Sequence, residues 1–401
     1  MRCRHMPFLL VPSMSALQAV QDRRCSRPRR TMRTSPRGEH PHALSFPHRL
    51  CQRIMQKLSL VALVVAALCV VGEAAQQQNI TVPGTSRPEL LFTPGGAKAS
   101  AGAGSLPLLV FLRGLDCAYT PQEIAAIPGA ATVLANSVNI GAAKSGKDDM
   151  ATLASTASDA LGAVAAVLTP PKSATTCTLC GPAIKAAQQL PPGDPQREFT
   201  LAGAALLANG TASGVDCPAW DSGPLCCLAS SAPRGDVDFV LNAIDAVIAK
   251  APAANRSAVT VVGFSAGAFM ADRLACDAPA GRIASFVAYA GSEPGTECNP
   301  PEARGALIMH GKQDLQIPFG GAPAGSGVSY PSAEATLANW ARRNRCSGEP
   351  RRFAQGDIDV VAYSGCAAPT IGWFVRSWGH LPPKTSAPVF VDAIKQVIAR
   401  G

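Results

Sequence analysis

Charge is scarce in this chain: Asp, Glu, Lys and Arg make up 16% of its 401 residues, against 47% hydrophobic residues. That balance excludes wholesale disorder and allows a large buried core. Evenly spread basic charge is also missing. The formal net charge is +9, but residues 1–54 hold 11 arginines against two acids, Asp22 and Glu39. From Gln76 onward 24 basic residues face 24 acidic ones, so no basic stripe remains to follow phosphates and no nucleic-acid partner is expected. The apolar run Leu58–Val71 spans 14 residues, broken only by Ser59. It falls short of the roughly 20 that cross a bilayer, so no permanent membrane anchor is expected. Histidine is rare too. Of six, His5, His40, His42 and His48 lie within 1–54, leaving His310 and His380.

The N-terminal region divides in two. Residues 1–54 read either as a basic targeting extension or as a stretch upstream of a translation start at Met55. Residues 55–75 have the layout of a secretory signal: Met55-Gln56-Lys57, the apolar run, then Gly72-Glu73-Ala74-Ala75. A mature chain beginning near 75–76 and exported from the cell is the expectation. Ten of the 14 cysteines lie beyond residue 75, an even number that favours disulfides in an oxidising compartment. Cys177-Thr-Leu-Cys180 has no second CxxC to complete a zinc site, so structural bonding is favoured over metal or redox work. Asn79, Asn209 and Asn255 head N-x-S/T triplets compatible with glycosylation.

Residues 76–401 read as alternating strands and helices with no internal repeat. Leu108–Leu112 is a short apolar run of buried-strand type. An Ala-rich stretch of about 120–215 follows, with a helix expected over Asp148–Val167. Then come a helix through Val240, Ile244 and Val247, a strand Ala258–Val262, a helix Ala266–Cys276 and a strand Ser285–Ala290. A strand Ala306–Met309, a helix Ser332–Arg343, strands Val360–Tyr363 and Ile371–Val375, and a helix Val389–Ala399 complete the series. Strands separated by helices imply an α/β fold, with a mostly parallel sheet covered on both faces. Chemistry in such sheets collects at the strand carboxyl ends.

One motif carries chemistry. Gly263-Phe264-Ser265-Ala266-Gly267 stands between an apolar strand and an amphipathic helix, the setting of a nucleophile elbow. A serine in so sharp a turn needs neighbours without bulk two residues away on either side. The helix opening at Ala266 directs its free N–H groups toward a developing oxyanion. Such a serine needs a base. His380, in the late loop Trp378-Gly379-His380, is favoured over His310, which ends a strand and suits a packing role. The orienting acid is expected after a strand between serine and histidine. Asp314, just past Ala306–Met309, fits this better than Asp357 or Asp359, which precede a strand.

With these residues placed, the chain resembles the secreted polyhydroxybutyrate depolymerase and feruloyl esterase group of α/β hydrolases, of carbohydrate esterase family one type. The resemblance covers Trp220 to about Pro383 and the strand around Leu108–Leu115. It rests on Trp220 with the paired Cys226-Cys227, on Asp236-Val-Asp-Phe239, and on Trp340 with Asn344-Arg-Cys346 and Tyr363-Ser-Gly-Cys366. It implies an α/β-hydrolase fold, Ser265, Asp314 and His380 as triad, no cofactor or metal, an ester substrate that can be polymeric, and a Cys346–Cys366 bond. The chain departs from the family in having Arg113-Gly114-Leu115 where His-Gly is usual. The backbone N–H of Leu115 is the expected second oxyanion donor beside Ala266. The reading is a secreted serine esterase with a single catalytic domain over 76–401. A serine peptidase on the same fold would call for a gating domain, and no propeller-like repeat is present. A catalytically silent binding protein is disfavoured by the intact Ser265, Asp314 and His380.

Overall fold

The computed structural model describes residues 74–83, 89–95, 102–114, 149–173, 180–194, 196–198, 200–202, 204–205, 218–225, 234–326 and 328–398. The leader 1–54, the signal segment 55–75 except Ala74 and Ala75, Leu115, Asn209, Cys117, Cys177, Cys217, Cys226 and Cys227 lie outside them. Among the described residues no helix is long and apolar enough to cross a membrane.

Twelve strands are described: β1 (Gln76–Ile80), β2 (Glu89–Thr93), β3 (Leu106–Leu112), β4 (Val164–Leu168), β5 (Lys172–Ser173), β6 (Pro218–Ala219), β7 (Ala254–Phe264), β8 (Ser285–Tyr289), β9 (Gly305–Gly311), β10 (Arg351–Gln355), β11 (Ile358–Ala362) and β12 (Thr370–Val375). Between them run α1 (Asp149–Leu161), α2 (Cys180–Ala187), α3 (Val237–Lys250), α4 (Ala266–Asp277), α5 (Ala333–Arg343) and, last, α6 (Ala387–Val397). Ten strands form one sheet in the order β1-β2-β4-β3-β7-β8-β9-β12-β11-β10, and β5 pairs with β6. The six strands from β4 to β12 are parallel, whereas β1, β2, β11 and β10 join through antiparallel pairs. This strand order, with an antiparallel second strand and a crossover from β3 to β4, is the α/β-hydrolase fold.

Strands β3 and β4 are apolar throughout because both of their faces are covered. Along β3, Leu108, Val110 and Leu112 enter the core beneath α3, α4 and α5, while Leu109 and Phe111 enter the one beneath α1 and α6. The same two-residue period sends Val259 and Val261 of β7 to the first core and Val262 and Phe264 to the second. The chain leaves β3 for β4 on one side, and β7 lies on the other. A crevice at the strand carboxyl ends is expected at that switch point.

One sequence expectation needs correction, and some strands were not anticipated. The helix read over Asp148–Val167 stops at Leu161, and Val164–Leu168 is the buried strand β4. Gly162 takes φ 62°, a left-handed conformation that ends the helix. The Ser158 hydroxyl then donates to the Ala163 carbonyl at 2.7 Å. A short run such as Val-Ala-Ala-Val-Leu has no period of its own, so helix and strand read alike. Strands β1 and β10 went unread because Gln76–Asn79 and all of Arg351–Gln355 are exposed, which leaves no apolar alternation to see.

Cys346 and Cys366 are bonded, with Cα atoms 3.8 Å apart. They join the chain after α5 to the chain before β12. Cys276 and Cys298 form a second bond, at the end of α4. Asn79 is exposed on β1, and Asn255 is half-buried with its Oδ1 accepting the Ser257 N–H at 2.9 Å.

Helix α4 also buries a carboxyl. Asp272 is 1% exposed and accepts the Trp340 indole N–H at 2.8 Å. Burial, helped by the charge of Glu293, pushes its pKa up to about 7, against the Trp340 bond and the charge of Arg343. A folded-state pKa above the unfolded value of 3.8 means that the unfolded chain loses this proton first. The penalty is absent below about pH 4, grows from there to about pH 7 and is constant above. Asp272→Asn keeps an acceptor for Trp340 and cannot ionise. Denaturant unfolding of both proteins is expected to show the variant gaining on the parent by about 2–4 kcal/mol between pH 4 and pH 8. A pH-independent difference would refute burial of the ionised form.

Candidate active site

Strand β7 delivers Ser265 into a turn that only a few residue arrangements permit. Ser265 has φ 53° and ψ −120°, a strained conformation for a side chain with a Cβ, costing on the order of 1–3 kcal/mol. The two flanking glycines make room for it. A Cβ on Gly263 would lie 2.1 Å from the Gly267 carbonyl oxygen, and one on Gly267 would lie 2.3 Å from that of Leu112 and 2.5 Å from that of Arg113. The end of β3 therefore packs directly on the elbow. Ala266 opens α4 and is fully buried beside it. The Ser265 N–H donates to the Tyr289 carbonyl at 2.9 Å, which ties the turn to the end of β8.

Asp314 and His380 follow β9 and β12, the second and third strands from β7 in the sheet. The turn after β9 carries Asp314, whose Oδ1 accepts the N–H groups of Gln316 and Ile317, each at 2.9 Å. Its Oδ2 lies 2.9 Å from His380 Nδ1 and 3.3 Å from His310 Nε2. Burial pushes this carboxyl up, but the charge of His380 and the hydrogen bonds from both histidines outweigh it and hold the pKa at about 2. An ionised Asp314 only accepts, so His380 Nδ1 carries a proton, and in the neutral imidazole Nε2 is then the acceptor. That Nε2 lies 2.9 Å from Ser265 Oγ. Asp314 and His380 are buried and Ser265 is half-buried, so solvent reaches the line from the serine end.

The other sequence candidates fall elsewhere. Asp359 pairs with Lys312 and Arg376, and Asp357 accepts from the Ser377 N–H and hydroxyl. Both hold the chain leading to His380 without reaching its ring. His310 packs at the strand end as expected, its Nε2 2.7 Å from the Ile317 carbonyl. Its additional approach to Asp314 was not foreseen, although the four-residue spacing across one turn could have suggested it. Trp220 donates its indole N–H to the Arg113 carbonyl at 2.8 Å and so fixes the chain just before Leu115. Among the described residues no group of three or more His, Cys, Asp or Glu is placed to hold a metal ion.

The fold and this line of three side chains define the class, an α/β hydrolase with a serine at its elbow. No known family model matches the chain. Feruloyl esterase B of Piromyces equi is 26% identical over 161 residues, a match that takes in 37% of this chain and 28% of that protein. Among solved structures the chain is similar to an acetyl xylan esterase from Aspergillus awamori, with 14% identity, coverage of 79% of this chain and 98% of that one, and a TM-score of 0.39. It is also similar to the Pyrococcus horikoshii acylaminoacyl peptidase, with 10% identity, coverage of 84% and 43%, and a TM-score of 0.40.

Proposed function

We propose that the protein is an exported serine esterase that hydrolyses carboxylic esters through an acyl-enzyme on Ser265. The observation that carries this reading is the hydrogen-bonded line from Ser265 Oγ through His380 to the ionised Asp314. Ser265 Oγ attacks the ester carbonyl carbon while His380 Nε2 takes its proton, and the carbonyl electron pair moves onto oxygen. The N–H groups of Ala266 and Leu115 receive that oxyanion. Collapse breaks the bond to the alcohol, which leaves with the proton from His380. Water repeats the sequence, releasing the acid and restoring Ser265. Asp314 keeps the imidazole oriented and stabilises its charged form. Each step is a proton or acyl transfer, so this chemistry calls on no cofactor.

Feruloyl or acetyl esters of polysaccharides, or polyhydroxyalkanoate-type esters, are the substrate class. The motif resemblance and the feruloyl esterase relative support it. The signal layout at 55–75 and the two disulfides support export, since such bonds persist outside the reducing cytosol. Hydrolysis of methyl ferulate, an acetylated xylan and a 3-hydroxybutyrate oligomer, with Ser265→Ala as control, tests the reading. Turnover of at least one, lost in the control, is expected. Inactivity of folded protein on all three, or turnover retained by Ser265→Ala, would contradict it.

A further inference from the structure

Tyr289 ends β8 in the middle of the sheet and is fully buried. Its two polar ends reach two different parts of the site. The carbonyl accepts the Ser265 N–H at 2.9 Å. The hydroxyl donates to the carbonyl of Gly379, the residue before His380, at 2.8 Å. Its ring repeats the same bridge in apolar contacts. It meets Phe264, the residue before Ser265, with centroids 5.8 Å apart, and Trp378, two residues before His380, edge-on at 6.0 Å. Phe390 of α6 closes the cluster at 5.3 Å. One side chain therefore touches the neighbours of both the serine and the histidine.

We propose that Tyr289 is a positioning residue that sets the separation of Ser265 Oγ and His380 Nε2 by gripping the backbone on both sides of that gap. The inference rests on the reading of Ser265 and His380 given above. Further back, the loop before His380 is held where Asp357 accepts from the Ser377 N–H and hydroxyl. The Gln313 N–H donates to the Trp378 carbonyl at 2.9 Å, and Gly311 admits the loop because it has no Cβ, which would lie 2.2 Å from the Trp378 oxygen and 2.5 Å from that of Gly379. Among the hydrogen bonds described for this loop, the one that reaches Gly379 itself runs from the Tyr289 hydroxyl to its carbonyl. Burial, with the charge of Asp314 added, holds that hydroxyl well above the ordinary tyrosine range, so it stays a donor at any working pH. A displacement of about 1 Å between reacting groups lowers rate on the order of 100-fold, so a single hydrogen bond that fixes the loop bears on turnover.

Tyr289→Phe keeps the ring and its packing and deletes only the hydroxyl. Competent sites are counted by stoichiometric reaction with a fluorophosphonate, and kcat and KM for 4-nitrophenyl acetate are expressed per titrated site. The normalisation removes any unfolded fraction. Expected is a fall in kcat of about 10- to 100-fold with KM within about twofold, together with a parallel fall in the rate of phosphonylation. A residue with a merely structural role would lower the melting temperature and leave kcat per site at the parent value. That result overturns the inference alone. A parent protein that neither reacts with the fluorophosphonate nor turns over ester overturns the reading of the site, and this inference with it.

Discussion

Replacing either Ser265 or His380 by alanine is expected to lower kcat by about 10⁴- to 10⁶-fold, and the double replacement is expected to be hardly worse than either single one. The reason is the hydrogen bond at 2.9 Å between Ser265 Oγ and His380 Nε2. Without the imidazole the hydroxyl keeps its proton and is a weak nucleophile. Without the hydroxyl the imidazole has nothing to activate. Each loss removes the same step, so the effects do not add. Steady-state kinetics on the three folded variants checks this. Multiplicative losses in the double variant would show that the two side chains act independently.

Asp314→Asn is expected to cost on the order of 10⁴-fold in kcat with little change in KM. Asp314 Oδ1 is already committed to two backbone N–H groups, and Oδ2 faces the ring nitrogens of His380 and His310. An asparagine that keeps the backbone bonds turns its NH₂ group toward those nitrogens. His380 then avoids a clash of donors by moving its proton to Nε2, and Ser265 loses its acceptor. In the parent, the Asp314 carboxyl stays ionised down to about pH 2. Protonation of Asp314 is therefore not expected to set the acid limb of activity. Kinetics across pH on parent and variant measures both effects, and a variant within tenfold of the parent would remove Asp314 from its orienting role.

Much of the site could be read from spacing alone. Glycines two residues before and after Ser265 answer to contacts of 2.1–2.5 Å that a Cβ would have made, which is why the elbow is visible as a pattern. The scarcity of histidine narrowed the base to two candidates, and strand-to-loop position favoured one of them. Asp314 stood out as the candidate acid because it follows an apolar strand lying between the serine and the histidine in chain order. Tyr289 was not legible. It sits at the end of an apolar strand where any large ring would satisfy the pattern, and its hydroxyl meets a residue 90 positions away. For the fold, the central strands declared themselves through largely apolar runs. The same property made β4 pass for the end of a helix, and the exposed edge strands left no signal. The contact of His310 with Asp314 was hinted at by their four-residue spacing alone, since it depends on how the turn after β9 folds back.

The most direct test of the central claim is to map the adduct formed when the intact protein reacts with a fluorophosphonate. The account predicts one phosphonyl group per protein, on the peptide holding Gly263–Gly267, with labelling slowed by at least about 10³-fold in His380→Ala. Labelling at another residue, or labelling of Ser265 at the parent rate without His380, would contradict it.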